Sequence, residues 1–341
     1  MKILRTLFLP FFALCYFFQS CSTEVDLYSD YKDITVVYGL LDYSKDTNFI
    51  KINKAFLGPG NALDIALIDD SCNYPGKLNC RIIESRASAE GSTYTQTRVL
   101  NVDTITVHNK QLGIFYAPDQ LVYYTTDRIN PNNSRYKYMY TLEIDRGDTI
   151  LTASSAVVGG ERFAIPQAIM SFSTVTPSGT LKWTECPNAV VYDASVEFRY
   201  VEVWNGNDTV PRSINMEMGY YPLSSLLYEF GNYSLSYPNA SFYDKLKRSM
   251  GADTLNSNVE RLVFEPSLTI KISAGGVELY NFISVNGPSS SIVQSIPEYS
   301  NVNGGYGVFS SRTTIQKDVR LSAQTFTELM RHENWRFRQA Q

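Results

Sequence analysis

"SGTLKWTECPNAVVYDASVEFRYVEVWNG", residues 178–206, decides the fold class. Leu181 and Trp183 stand two apart, so an extended chain points both to one face. After a Pro-Asn turn the same period returns with Val196, Phe198 and Tyr200, and Val203 is a further candidate for that buried face. A period of two over such lengths predicts strands with one packed and one wet side.

The rhythm extends in both directions. Upstream, ITVVYGLL (34–41) reads as a buried strand. TNFIKINKAF (47–56) sets Phe49, Ile50, Ile52, Ala55 and Phe56 against Asn48, Lys51, Asn53 and Lys54. LGPGNALDIALIDDS (57–71) reads as a turn with a short helix. Strand-like runs follow at 78–84, 94–107, 111–116, 120–125, 135–144 and 149–158, the last two joined by a hairpin loop at Asp145-Arg146-Gly147-Asp148. GGERFAIP (159–166) looks like a seam. The expectation is a mainly β chain of tandem β-sandwich domains of immunoglobulin or fibronectin type, 33–160 and 161–331, with a polar tail at 332–341 that frays. A helical insert is expected at about 223–250. There Phe242, Leu246 and Met250 form one stripe, and Ser241 and Asp244 have the spacing of a capping box. LTIKISAGGVELYNFISV (268–285) reads as β again, GVFSSR (307–312) as a terminal strand and 322–330 as a short helix.

The Trp strand, the loop with Ala and Tyr, and the alternating Tyr-rich strand together resemble a fibronectin type III-like module. That resemblance implies that Trp183 packs between two sheets.

The chain opens MKILRTLFLPFFALCYFFQSC, with Lys2 and Arg5 before an apolar run from Leu7 to Phe18. Twelve helical residues rise only about 18 Å, short of a roughly 30 Å hydrocarbon core, so residues 1–20 read as a signal peptide. Phe18-Gln19-Ser20-Cys21 resembles a bacterial lipobox, which implies acylation of Cys21 and a tether over 21–32. Glu24, Asp26 and Asp30 resemble the surface-export signal of Bacteroidetes lipoproteins. DITVVYGLLD (33–42), FIKINKAFLG (49–58) and PEYSNVNGGYGVFSSR (297–312), taken with the Cys21 leader, resemble a family of uncharacterised Bacteroidetes lipoproteins, a domain of unknown function. The resemblance implies a surface-exposed outer-membrane lipoprotein, of a kind often encoded beside uptake systems, and carries no reaction with it.

Formal net charge is −4 over 341 residues and no basic stripe stands out, so nucleic acid is not an expected partner. The expected partners are the membrane, through the lipid, and an outer-membrane protein or glycan. No cofactor or metal is expected. Cys72 and Cys80 flank CNYPGKLNC; an oxidising compartment allows a disulfide there, and two unpaired thiols fit the spacing equally. The only histidines, His108 and His332, sit in a strand or turn and in the tail, and there is no GxSxG for a triad. Carboxylates are available for glycoside hydrolysis in Glu143, Asp145, Asp148, Glu185, Glu197 and Glu202, yet spacing selects no pair. Asp69-Asp70-Ser71 and Asn205-Gly206-Asn207-Asp208 offer oxygen ligands without matching an EF-hand. Gly304-Gly305 predict a tight turn and Gly307 a close backbone approach.

The candidate recognition surface is tyrosine-rich. Tyr220, Tyr221, Tyr228, Tyr233 and Tyr237 lie in GYYPLSSLLYEFGNYSLSYPN (219–239), and Tyr299 and Tyr306 lie near the glycines. The functional expectation is a noncatalytic envelope lipoprotein that binds a protein partner or a glycan or nutrient ligand, accessory to an uptake system. A structural component of a surface complex and a carboxylate-based glycoside hydrolase are the alternatives.

Overall fold

The computed structural model describes residues 32–57, 61–108, 110–117, 119–251, 258–287 and 298–340; Cys21, the leader and the tether to residue 31 lie outside them. The chain is mainly β and of the β-sandwich class. In the first sandwich, β1 (Lys32–Leu41), β2 (Asn48–Leu57), β5 (Asp103–Val107) and β6 (Gln120–Thr125) make one sheet. The other sheet runs β4 (Thr95–Leu100), β3 (Asn79–Ser88), β7 (Tyr136–Asp145), β8 (Ile150–Ala156). Alternation sends Val37, Ile50 and Tyr123 of the first sheet inward, where they share one core with Ile82, Tyr140 and Leu151 of the second.

The second sandwich sets a three-stranded sheet, β10 (Ser178–Thr184), β14 (Asn232–Pro238) and β13 (Leu227–Glu229), against a larger one. The larger sheet holds β11 (Val191–Trp204), β12 (Asp208–Pro222), β15 (Val259–Val263), β16 (Leu268–Gly275), β17 (Tyr306–Leu321) and β18 (Phe337–Gln339), with the short β9 (Ile169–Met170) beside β17. Trp183 is fully buried between the two sheets, its ring 5.3 Å from that of Tyr192.

The two sandwiches share a strand. The first half of β17 runs parallel to β1, from Val36↔Tyr306 to Leu41↔Ser311. Its second half runs antiparallel to β16, from Gly275↔Arg312 to Leu268↔Val319. Val302 and Phe309 therefore belong to the first core and Val319 and Leu321 to the second. A division at 160 leaves out this return: residues after 298 complete the first sandwich. Gly307 permits the pairing, because its φ is +110° and a Cβ there would lie 2.0 Å from the Val37 carbonyl oxygen. Ser311 clips the joint, donating from Oγ to Leu41 O at 3.1 Å and accepting from Val158 N at 3.0 Å.

Among the described residues five α-helices decorate the sheets: α1 (Ala62–Ala66), α2 (Asp69–Cys72), α3 (Ala240–Met250), α4 (Val277–Asn286) and α5 (Ala323–Arg331). Several details differ from expectation. Of the 223–250 insert, only 240–250 is α-helical. Residues 227–238 carry a hairpin, and Tyr233, Leu235 and Tyr237 alternate inward from a strand whose register sets Tyr233 opposite Trp183. Ser241 does not cap α3. The helix starts at Ala240, and Ser241 Oγ donates to Pro238 O while Asn239 Nδ2 donates to Ser173 O and Thr176 O, both at 3.0 Å.

Residues 277–286 form a helix, not a strand, because the Gly275-Gly276 pair ends β16 and Gly276 takes the N-cap place. Residues 111–116 are loop, stabilised by Tyr116 N donating to Ala66 O. The tail does not fray: Trp335 and Phe337 are buried, and β18 pairs parallel with β15. Finally, Glu202 rather than Val203 continues the inward face of β11, since its even number matches Phe198 and Tyr200.

Candidate functional site

The site grows from the outer face of the β1–β2–β17 sheet. Because Val37 and Ile50 point into the core, alternation turns Tyr38 and Phe49 outward, where each is about half exposed (47% and 53%). Helix α4 is pinned over this face by its first turn. Gly276 N donates to Ser311 O at 3.0 Å and Leu279 N donates to Ser310 Oγ at 3.2 Å. The Glu278 carboxylate accepts from Ser155 Oγ at 3.0 Å and from Ser310 Oγ at 3.2 Å. Phe282 then meets Tyr38 edge-on, centroids 5.9 Å apart at 75°. The cleft between helix and sheet encloses about 590 Å³, within the usual range for small-molecule sites.

Its polar groups are arranged unevenly. Lys45 and Arg312 line the cleft and make no ion pair among the described residues. Asp42, almost fully buried, accepts from Ser44 N at 2.9 Å and Ser44 Oγ at 2.7 Å through one carboxylate oxygen. Asn48, also a lining residue and buried, accepts from Asp42 N at 2.6 Å, while its Nδ2 has no protein partner. A buried amide donor left unpaired is costly, and this one is shut away from the cleft surface. The arrangement offers aromatic faces and two cations that have no ion pair among the described residues.

The tyrosines singled out by sequence divide. Tyr220, half exposed, stands on the far flank of α4, within hydrogen-bonding reach of Ser284 and beside Tyr280; burial and then Tyr280 hold its hydroxyl above the ordinary range. Tyr306 is exposed on β17 opposite Val36, two places from Tyr38's partner Val308. Tyr299 is half-buried. Tyr228 is exposed on the small sheet, donating to Glu185 Oε2 at 3.2 Å, and Tyr221 donates to Met218 O at 2.6 Å. Tyr233 and Tyr237 belong to no surface. Both are buried, and burial pushes the Tyr237 hydroxyl up to about 12 as it donates to Ser171 O at 2.9 Å.

The carboxylates named from sequence are dispersed. Glu143 pairs with Arg81 at 2.5 Å, Asp145 accepts from Gly147 N at 2.8 Å, and Asp148 meets Arg146 at 3.1 Å, all at or near the β7–β8 hairpin. Glu197 lies on the outer face of β11 opposite Asn215, and Glu202 is held between Arg261 and Arg212. Besides Asp42, the buried carboxylates Glu84 and Glu328 carried no sequence signal. Burial alone would raise both. Tyr140, Arg98 and Thr97 hold Glu84 below the ordinary carboxylate range, and Tyr243 and Thr174 do the same for Glu328. A protonated general acid needs the opposite shift.

His108 Nδ1 lies 3.0 Å from Asp119 on the surface, and His332 stacks on Trp335 at 4.1 Å. Asp69 accepts from Asn73 Nδ2 at 2.7 Å, and Asn205–Asp208 turns between β11 and β12. Among the described residues no three His, Cys, Asp or Glu side chains gather as a metal-ligand set. Cys72, Cys80 and Cys186 are free and buried, so the bridge across CNYPGKLNC is not formed. Cys72 Sγ instead donates to Ala66 O at 3.2 Å, while burial pushes the Cys80 thiol up to about 12.

No family model matches the chain, and no curated protein matches it.

Proposed function

We propose that this is an exported binding protein, acylated at Cys21 and held on the outer membrane, whose helix-walled aromatic cleft receives an acidic glycan. The likeness to Bacteroidetes surface lipoproteins and to fibronectin type III-like modules belongs to the same reading. One observation carries it: Arg312 and Lys45, without an ion pair among the described residues, stand beside the exposed rings of Tyr38 and Phe49 and the half-buried ring of Phe282 around a cavity of about 590 Å³. A sugar ring stacks its C–H face on such rings, and a uronate carboxylate finds the bidentate fork of Arg312.

Calorimetric titration with matched neutral and uronate-containing oligosaccharides tests the reading. The uronate series binds, Arg312→Ala weakens it about tenfold or more, and Tyr38→Ala weakens both series, with unfolding midpoints unchanged. Absence of heat from both series defeats it. The extension of the aromatic strip past α4 to Tyr220 favours a second reading, an outer-membrane protein partner, and pull-down from native membranes with the anchored protein tests that reading.

A further inference from the structure

A second surface lies at one end of the first sandwich. Leu63, Leu67, Ile68, Leu112, Ile114 and Phe115 are all more than half exposed, and Leu112 is 92% exposed. They come from two segments, α1 with its connection to α2, and the β5–β6 loop. Tyr116 N, donating to Ala66 O at 2.8 Å, ties the two segments together. The patch is fixed to the sheet: Asn53 Nδ2 on β2 donates to Cys72 O at 3.1 Å, and Thr35 Oγ1 on β1 meets Tyr74 OH at 2.6 Å. Six large apolar side chains held on one rigid end are more than scattered surface hydrophobics require.

Strand registers locate that end. Lys32↔Leu57 places the start of β1 beside the end of β2, where the chain leaves for α1. Val107↔Gln120 joins the end of β5 to the start of β6, and β6 runs antiparallel to β2. Both apolar segments therefore sit at the end where the N-terminal tether enters the fold. Only ten residues separate Cys21 from Lys32, which reach at most about 40 Å when fully extended.

We propose that this apolar tip seats on a lipid bilayer, with its leucine, isoleucine and phenylalanine side chains entering the interface. Asp64, Asp69 and Asp70 flank the tip, and the one lysine of its loop, Lys110, is turned to the Tyr116 carbonyl oxygen, so the contact is apolar and draws little from anionic headgroups. The lipid on Cys21 supplies the anchorage, and the short leash presents the tip to the same membrane at high effective concentration. It also fixes orientation, holding the second sandwich away from the lipid.

The test uses the unacylated chain from Ser22 onward, which contains both hydrophobic cores entire. An environment-sensitive dye is placed on Leu112→Cys, or on Phe230→Cys at the 99%-exposed turn of the second sandwich. The native thiols at 72, 80 and 186 are buried and do not compete. With phosphatidylcholine vesicles the 112 dye shifts to the blue and is quenched by brominated acyl chains, the 230 dye does neither, and phosphatidylglycerol does not strengthen the response. Leu67→Asp with Phe115→Asp lowers vesicle binding at least about tenfold while the melting curve is unchanged. The proposal is overturned by a 112 dye that stays in water at saturating lipid. It is equally overturned by a shift that follows protein concentration without lipid, which would mean a second copy covers the tip. Neither result depends on acylation of Cys21 or on the cleft.

Discussion

Arg261 Nε donates to Glu202 Oε1 at 3.1 Å, and the side chains of the two are 0% and 3% exposed. Arg212 reaches the other carboxylate oxygen at 2.9 Å, and Arg261 Nη1 donates to Trp335 O at 2.9 Å. One charged cluster thus ties β11, β12 and β15 to the C-terminal segment and keeps the last residues packed.

Removing one member of a buried pair leaves the other charge uncompensated. Glu202→Gln is expected to lower unfolding stability by about 3–5 kcal/mol, and Arg261→Met alone by a similar amount. The double replacement recovers part of that loss. Urea unfolding of the three variants checks it; a simple sum of the two single losses in the double variant would count against the pairing.

Acid should release a similar lock in the first sandwich. Burial opposes the charged form of Glu84, but donors from Tyr140 (2.5 Å), Arg98 (3.0 Å) and Thr97 (2.8 Å) outweigh it and depress the carboxyl. A depressed acid stabilises the fold fully above its unfolded value, about 4.3, and that contribution is lost as pH falls through the lower folded value. Melting temperature is expected to hold down to about pH 5 and then to drop. Glu84→Gln should be less stable at neutral pH and show a shallower acid fall, read by thermal melts across the range.

Two glycines eight residues or fewer from the strand joint should differ sharply. Gly304 has φ +84° with its nearest prospective Cβ neighbour, Leu151 Cγ, at 3.6 Å, whereas Gly307 faces the Val37 carbonyl oxygen at 2.0 Å. Gly304→Ala carries only the backbone penalty, about 1–2 kcal/mol. Gly307→Ala must also part β1 from β17 and is expected to cost well beyond that. Denaturation midpoints of the two variants, with equal losses as the contrary result, decide it.

Much of the architecture was legible because strand alternation is local. Trp183 with Leu181, and Val196, Phe198 and Tyr200, read correctly as inward faces. Val203 failed by one place in parity, and the true occupant, Glu202, was invisible because its partner Arg261 lies 59 residues on. The segment before α3 was read as helical because its helix-like end, 241–250, obscured the period-two run Tyr233, Leu235, Tyr237. Helix α4 hid in the opposite way: Val277, Leu279, Phe282, Ile283 and Val285 spread its apolar residues around the axis without one clear stripe, and so it reads like a strand. The cleft could not be read at all. Tyr38, Phe49, Phe282 and Arg312 come from four elements, and only the parallel pairing of β1 with β17 brings α4 over the first two.

That parallel pairing also has a mechanical meaning. A pull on the N-terminal end of the chain runs along β1, and β17 carries the load onward into the body through its antiparallel half. The hydrogen bonds between the two strands then lie across the line of force and stretch together, like rungs of a ladder slid lengthwise, instead of opening one after another as in a zip.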